Sequence, residues 1–346
     1  MPCDDRWVID EHTRSEWAAA EKLHHAYLTG ILLFLVQSRG GDVAADFVFR
    51  TFRRQHLSKF LPALETLSLR GLPDAVACAH FIYLANRAGG VLVETMPESD
   101  KKAWVRYPPP RWIYEGASIC AIPSQVSIAF LRAFHAHCGV SLGNPRLGFV
   151  CTALTTDGAP GLEGYFQEYD HDLAEDERLR FEPGARAPLF DADLAPALSF
   201  KGERLHRARR NYALQYIRVG LPVLCDLLGG DASAQRRPAV LVGMQLYEEL
   251  CSVLGPFDRD QKGFGDFLAA LLRGCGDEPR LKTSANDVSV SVSNLRVLAR
   301  DADRTAFDAW NALWSGALSV HNRDLQLEVE SRVDKGDLLW TWVVSS

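Results

Sequence analysis

Apolar residues near the start of the chain recur at helical spacing. From about Glu16 to Gln37 they return every three or four positions without a proline, and Gly40-Gly41 supplies a stop, so a helix is predicted there. A second is predicted over Val43–Phe60, ended by Leu61-Pro62. A third starts at Pro73 and passes through Ala79, Phe81, Leu84 and Ala85 to Gly89-Gly90. The pattern then shortens to strands: Val91–Glu94 and Lys102–Tyr107, joined by the polar turn Pro97–Asp100, which suits an antiparallel pair. Pro108-Pro109-Pro110 ends the pairing, because proline lacks the ladder donor. Ser124 opens a further helix through Val126, Ala129, Phe130 and Phe134, with Gly139 or Gly143 as its stop. Strands Arg146–Ala153 and Leu162–Glu168 flank the turn Thr156–Gly161.

The stretch from Asp172 to Leu198 holds charge and proline with little periodicity and reads as a connection. Beyond it the same order of elements returns. Helices are predicted over Arg207–Leu228, Val240–Leu254 and Phe264–Arg273. The alternating run Val288–Val297 is a half-buried strand, followed by a helix near Ala306–Leu318. Strands Asp324–Arg332 and Leu338–Val344 then flank the turn Asp334–Asp337.

Two coincidences suggest that this order is a repeat. Tyr27 and Asp42 fall on Tyr216 and Asp231 at one offset, and Asn144, Leu147, Phe149 and Gly158 fall on Asn322, Leu325, Leu327 and Gly336 at another. The expected fold is α+β: two tandem related domains, each with helices packed on a small antiparallel sheet. The first repeat is 1–171, the connection 172–199 and the second repeat 200–346. Strands joined by short turns are not parallel neighbours, and no Gly-x-Gly-x-x-Gly links a strand to a helix, so a doubly wound nucleotide fold is set aside.

Composition narrows the partners. The 346 residues carry a formal charge of −6, which gives no general attraction to nucleic acid or to an anionic membrane. The longest apolar run, around Ile31–Val36, is too short to span a bilayer, and Met1–Trp7 lacks the features of a signal peptide, so a cytoplasmic setting is expected. The eight cysteines show no zinc-finger or redox spacing and read as reduced structural thiols. The expected partner is a small molecule, with neither nucleic acid nor membrane; a homo-oligomer is compatible with the sequence. No metal site is assigned. The cofactor is left open, because haem ligation by a single histidine leaves no sequence signature.

Three clusters carry candidate chemistry. His135 and Cys138 share a face if their helix continues, as a base–thiol pair would require; the alternative is a histidine at a helix end with the cysteine in the core. Glu163 and Tyr165 share a strand face with Gln167 and suit acid–base work, against a plain solvated face. A loop grouping of Glu168, Asp170 and His171 matches no strong metal motif. Arg106, Tyr107, Arg111 and Trp112 surround the proline run and suit gripping a carboxylate or a planar ring, with Arg146 as a further contact; the alternative is a stiffened connection. No hydrolase elbow, phosphate loop or zincin motif is present.

Lys102–Pro108, Asn144–Leu147, Asp157-Gly158 with the strand through Phe166, and Asp334–Trp342 together give the chain a resemblance. It resembles the L-2-amino-thiazoline-4-carboxylic acid hydrolase family and the related 4-vinyl-reductase-type ligand-binding domains. Tyr107-Pro108 stands where such families carry Cys-Pro, and Leu338–Trp342 holds no cysteine. The resemblance implies a small-molecule pocket between helices and sheet. The leading expectation is an enzyme acting on a small polar organic molecule, with C–N bond hydrolysis as the suggested reaction. The alternative is a non-catalytic protein that binds a small molecule, a haem or a partner. Nine of the ten histidines precede residue 207. The site is therefore expected within residues 100–170, roofed by the second half, whose closing hairpin offers Trp340 and Trp342 for packing.

Overall fold

The computed structural model describes residues 10–111, 113, 115–293, 295–299, 302–334 and 337–346. Trp112, Gly336 and part of the turn before Asp337 lie outside the described residues. The architecture is α+β. The described residues form two compact units, Leu32–Phe200, and residues 10–31 together with Lys201–Ser346.

Helix α1 (Glu11–Arg39) begins earlier than its apolar period, because the Asp10 carboxylate accepts the Thr13 amide at 2.8 Å and caps the first turn. Helix α2 (Gly41–Thr66) runs through Pro62, where the sequence predicts its end. Leu64, 1% exposed, anchors the turn beyond the proline and offsets the lost backbone bond. Then come α3 (Asp74–Ala88), β1 (Glu94–Ser99) and β2 (Lys102–Tyr107). β1 lies later than predicted and contains Pro97; it is an edge strand, where a missing N–H is tolerated. Next are α4 (Ser124–Ala133), α5 (Cys138–Leu142), β3 (Leu147–Ala153), β4 (Leu162–Glu168) and β5 (Leu179–Phe181).

The first sheet has the order β1-β2-β4-β3-β5. It is not purely antiparallel as expected: β5 pairs with β3 in parallel, and β5 comes from the stretch read as a connection. Three residues, Leu179-Arg180-Phe181, are too few for periodicity to reveal a strand. Alternation divides the sheet into two faces. Tyr107, Phe149 and Phe166 point toward the helix side, where they meet His135 just beyond α4. Met96, Trp104, Val150 and Tyr165 form an apolar cluster on the outer face, with Ala185, Ala187 and Phe190 packed against it.

The other unit continues with α6 (Gly202–Leu228), α7 (Ala232–Leu254), α8 (Gln261–Cys275), β6 (Arg280–Thr283), β7 (Asp287–Ser293), α9 (Arg304–His321), β8 (Gln326–Asp334) and β9 (Asp337–Ser345). Its sheet is antiparallel, in the order β6-β7-β9-β8. α7 and α9 pack through small residues: a methyl on Gly243 would collide with the Leu313 carbonyl, and one on Gly316 with that of Val240. The core holds Trp310, Trp314 and Trp342, each at most 1% exposed. Trp340 stacks on Phe307 at 3.5 Å between ring centroids, and the Trp342 indole donates to Asn311 Oδ1 at 2.6 Å.

The registers of the two sheets correspond. Ala103, Phe166 and Phe149 lie side by side across β2, β4 and β3. Val288, Val344 and Leu327 do so across β7, β9 and β8. Before β3, Asn144 Oδ1 accepts the Arg146 amide at 3.0 Å, and its Nδ2 donates to Asp74 at the start of α3, at 2.8 Å. Before β8, Asn322 Oδ1 accepts the Asp324 amide at 3.0 Å, and its Nδ2 donates to the Arg259 carbonyl just ahead of α8, at 2.9 Å. Among the described residues no helix is long and apolar enough to cross a membrane.

Candidate functional site

The outer face of the first sheet bears a row of charged groups at one end of its apolar cluster. Glu94, Arg106 and Glu163 are aligned across β1, β2 and β4 by register. Arg106 Nη1 donates to Glu94 Oε2 at 3.2 Å, and its Nε lies 3.7 Å from Glu163 Oε2. The other carboxylate oxygen of Glu163 accepts the Thr152 hydroxyl at 3.3 Å and the Ala187 amide at 3.1 Å. One carboxylate thus joins the sheet to the segment that crosses over it. Tyr165 donates its hydroxyl to Glu182 in the same segment, and burial together with that carboxylate pushes the phenol pKa up.

Beneath this crossing lies a half-open cavity of about 690 Å³. Arg106, Thr152 and Glu163 form its polar end, Leu154 and Pro160 line one wall, and residues 181–187 form the roof. Asp157 stands at the turn side and accepts the Ser124 hydroxyl. Cys151 also lines the cavity; burial pushes its thiol up to about 12, so the sulfur stays protonated at neutral pH. The cavity is on the sheet face opposite the helices, not between helices and sheet as the resemblance implies. Its roof is part of the stretch expected to be a connection.

The expected base–thiol pair is not brought together. α4 stops at Ala133, so His135 and Cys138 no longer share helical spacing. The Cys138 thiol donates to the Phe134 carbonyl at 3.5 Å. His135 Nε2 lies 2.9 Å from the Tyr107 hydroxyl, with both groups buried among Phe130, Phe149 and Phe166. Burial, then the charge of Arg111, lowers the His135 pKa to about 3, which keeps the ring neutral. Such a ring packs the helix side of the sheet; the strand between it and the cavity separates it from Glu163.

Glu163 and Tyr165 do share a face, through alternation along β4. Arg106 joins them there. Tyr107, the next residue, points to the opposite face for the same reason. Arg111 holds its guanidinium over the Tyr107 ring at 4.8 Å, and Arg146 forms an ion pair with Glu168 at 3.0 Å, away from the cavity. Trp112 lies outside the described residues. His171 pairs with Asp170 at 2.8 Å on the exposed surface. Among the described residues no three His, Cys, Asp or Glu side chains are grouped to hold a metal ion.

Thr152 and the roof are not among the sequence candidates, and Asp157 enters there only in the turn Thr156–Gly161 and in the resemblance. Thr152 is one of several hydroxyls on alternating strands, and only the pairing of β3 with β4 places it beside Glu163. The Glu182-Pro183-Gly184 turn after Leu179-Arg180-Phe181 was the available signal for the roof. Comparison with family models, curated proteins and solved structures gives no match, so the resemblance to the hydrolase and ligand-binding families rests on the quoted residues alone.

Proposed function

We propose that the chain is a small-molecule-binding protein that uses the cavity on the outer face of the first sheet without performing chemistry there. The observation that carries this reading is the closed Glu94–Arg106–Glu163 network. Arg106 is held between the two carboxylates, Glu163 is further engaged by the Thr152 hydroxyl and the Ala187 amide, and among the described residues no histidine lines the cavity. The ligand that fits has an apolar body against Leu154, Pro160 and Phe181 and one polar end that hydrogen-bonds the Arg106–Glu163 pair. The alternative of C–N hydrolysis draws on the family resemblance; the separation of His135, Cys138 and Glu163 favours binding over it.

We also propose that the units are tandem relatives and that the binding role belongs to the first. The matching order of elements, the shared registers and the Asn144 and Asn322 turns support this. At the register of Arg106 and Glu163 the second sheet carries Ser291 and Thr341, whose hydroxyls are 3.0 Å apart. A polar but uncharged pair there supports a packing role. Free thiols at Cys78, Cys138 and Cys275 suit the reducing setting of a cytoplasmic protein.

The test is a thermal-shift screen of small amphiphilic molecules against the wild type and Ala185→Trp, which fills the cavity under its roof. Stabilising ligands that lose their effect in the variant support the reading. Ligands that stabilise both proteins equally would place the site elsewhere.

A further inference from the structure

The two sheets differ most at one edge. In the first, the edge of β3 is covered by β5, and the helix-side row on β3 is sealed: Leu147 and Phe149 are each 0% exposed. In the second, β8 holds the place of β3 in strand order and in register, and among the described residues no strand lies beyond it. The corresponding row is therefore open. Leu327 and Val329 are only half-buried, although their neighbours across the ladder, Val344 and Trp342, are fully buried. A nine-residue edge with no strand beyond it among the described residues and a half-buried apolar row is a template for strand addition.

The charges on β8 select the occupant. Glu328 and Glu330 project from the outer face and are exposed. A second copy of the same strand would pair antiparallel by two-fold symmetry, unlike β5: about Val329 it sets Glu328 against Glu330, whereas about Ser331 it sets Glu330 against Arg332 and is the rival occupant that the oligomeric state distinguishes. A basic strand fits. β5 already shows the arrangement in the first sheet: Leu179 is paired with Phe149, and Arg180 with Val150. By register, Phe149 and Val150 hold the places of Leu327 and Glu328.

We propose that the β8 edge binds an extended segment of another protein, in which apolar residues alternate with lysine or arginine. The segment lies parallel to β8 as β5 lies against β3. Its apolar side chains cover Leu327 and Val329, and its cations meet Glu328 and Glu330. This surface is separate from the cavity and stands whether or not the cavity binds a ligand.

The test is fluorescence anisotropy of a labelled heptapeptide alternating valine with lysine, titrated with the full chain. Three outcomes are expected. Binding is saturable. A peptide of the same composition with its lysines grouped binds more weakly. The double variant Glu328→Lys/Glu330→Lys, an exposed change that preserves the circular dichroism spectrum, weakens the alternating peptide by about tenfold and gains affinity for a valine–glutamate peptide. Unsaturable binding, equal affinity for the grouped peptide, or no effect of the double variant would overturn the proposal. So would a dimer in sedimentation velocity that the double variant disrupts, because the edge would then pair with itself.

Discussion

Glu163 stands directly opposite Arg106, with its Oε2 3.7 Å from the guanidinium Nε, while its other oxygen accepts the Ala187 amide at 3.1 Å. The same side chain therefore sets the polar end of the cavity and pins the roof. The segment after Ala187 has few backbone bonds of its own, so its local stability depends on Glu163, on the Tyr165–Glu182 contact and on Phe190 packed against the outer-face cluster. Glu163→Ala is expected to expose residues 182–190 to limited proteolysis and to lower stability by about 1–3 kcal/mol. Glu163→Gln retains an acceptor for Ala187 and is expected to fall between that variant and the wild type. Equal cleavage of all three proteins would show that the roof is held by other contacts.

Tyr107 and His135 form a buried structural pair on this account. Tyr107→Phe removes the partner of His135 Nε2 and is expected to cost about 1–3 kcal/mol at pH 7, leaving ligand binding in place. The pH dependence has a definite sign. Burial is the main cause that lowers His135, His25 and His56 to about 3 and His24 to about 4. The unfolded chain, with imidazoles near ~6.5, takes up these protons first. Stability is thus fully present above about pH 6.5 and is lost as pH falls through the interval below it. Urea unfolding between pH 7 and 4.5 should show this loss. His135→Phe should reduce its slope by up to about 1.4 kcal/mol per pH unit. An unchanged slope would mean that His135 is already charged in the folded protein.

Asp277 works in the opposite sense. Burial raises its carboxyl to about 6, against the pull of the Arg296 amide at 3.0 Å and of nearby arginines. The folded protein therefore takes up this proton before the unfolded chain does, and the ionised group opposes folding at pH 7. Asp277→Asn keeps an oxygen for the Arg296 amide. It is expected to raise stability by about 1–2 kcal/mol at pH 7 and by much less at pH 4. A loss at pH 7 in urea unfolding would indicate that the arginines depend on the negative charge.

The close crossing of α7 and α9 makes Gly243 intolerant of a side chain, because the added methyl would meet the Leu313 carbonyl. Gly243→Ala should cost about 2–3 kcal/mol despite the better helix propensity of alanine. Gly230→Ala, whose added methyl would meet nothing within 4 Å, serves as the control and should leave the melting temperature nearly unchanged.

Long periodic elements were legible in the sequence. The helix from Asp74 to Ala88 and the closing hairpin follow from spacing and turn residues, and Glu163 and Tyr165 share a face because alternation along β4 requires it. Elements that tertiary pairing decides were not. Pro97 reads as a turn, yet an edge strand accommodates it; Pro62 reads as a stop, yet the burial of Leu64 carries the helix past it. The helix through His135 reads as continuous to Gly139 or Gly143, but the chain leaves it after Ala133, and with that turn the apparent His135–Cys138 pair disappears. The roof of the cavity was illegible because three residues of strand and a proline turn carry no period.

The most direct measurement is calorimetric titration of the strongest ligand from the thermal-shift screen into wild type and Arg106→Ala, followed by mass spectrometry of the recovered ligand. Saturable binding of one ligand per chain is expected, at least about tenfold weaker in Arg106→Ala because a charged hydrogen bond is lost, with the ligand mass unchanged after prolonged incubation. A ligand converted by the wild type but not by Arg106→Ala would contradict the non-catalytic reading. Equal affinity for both proteins would contradict the placement of the site.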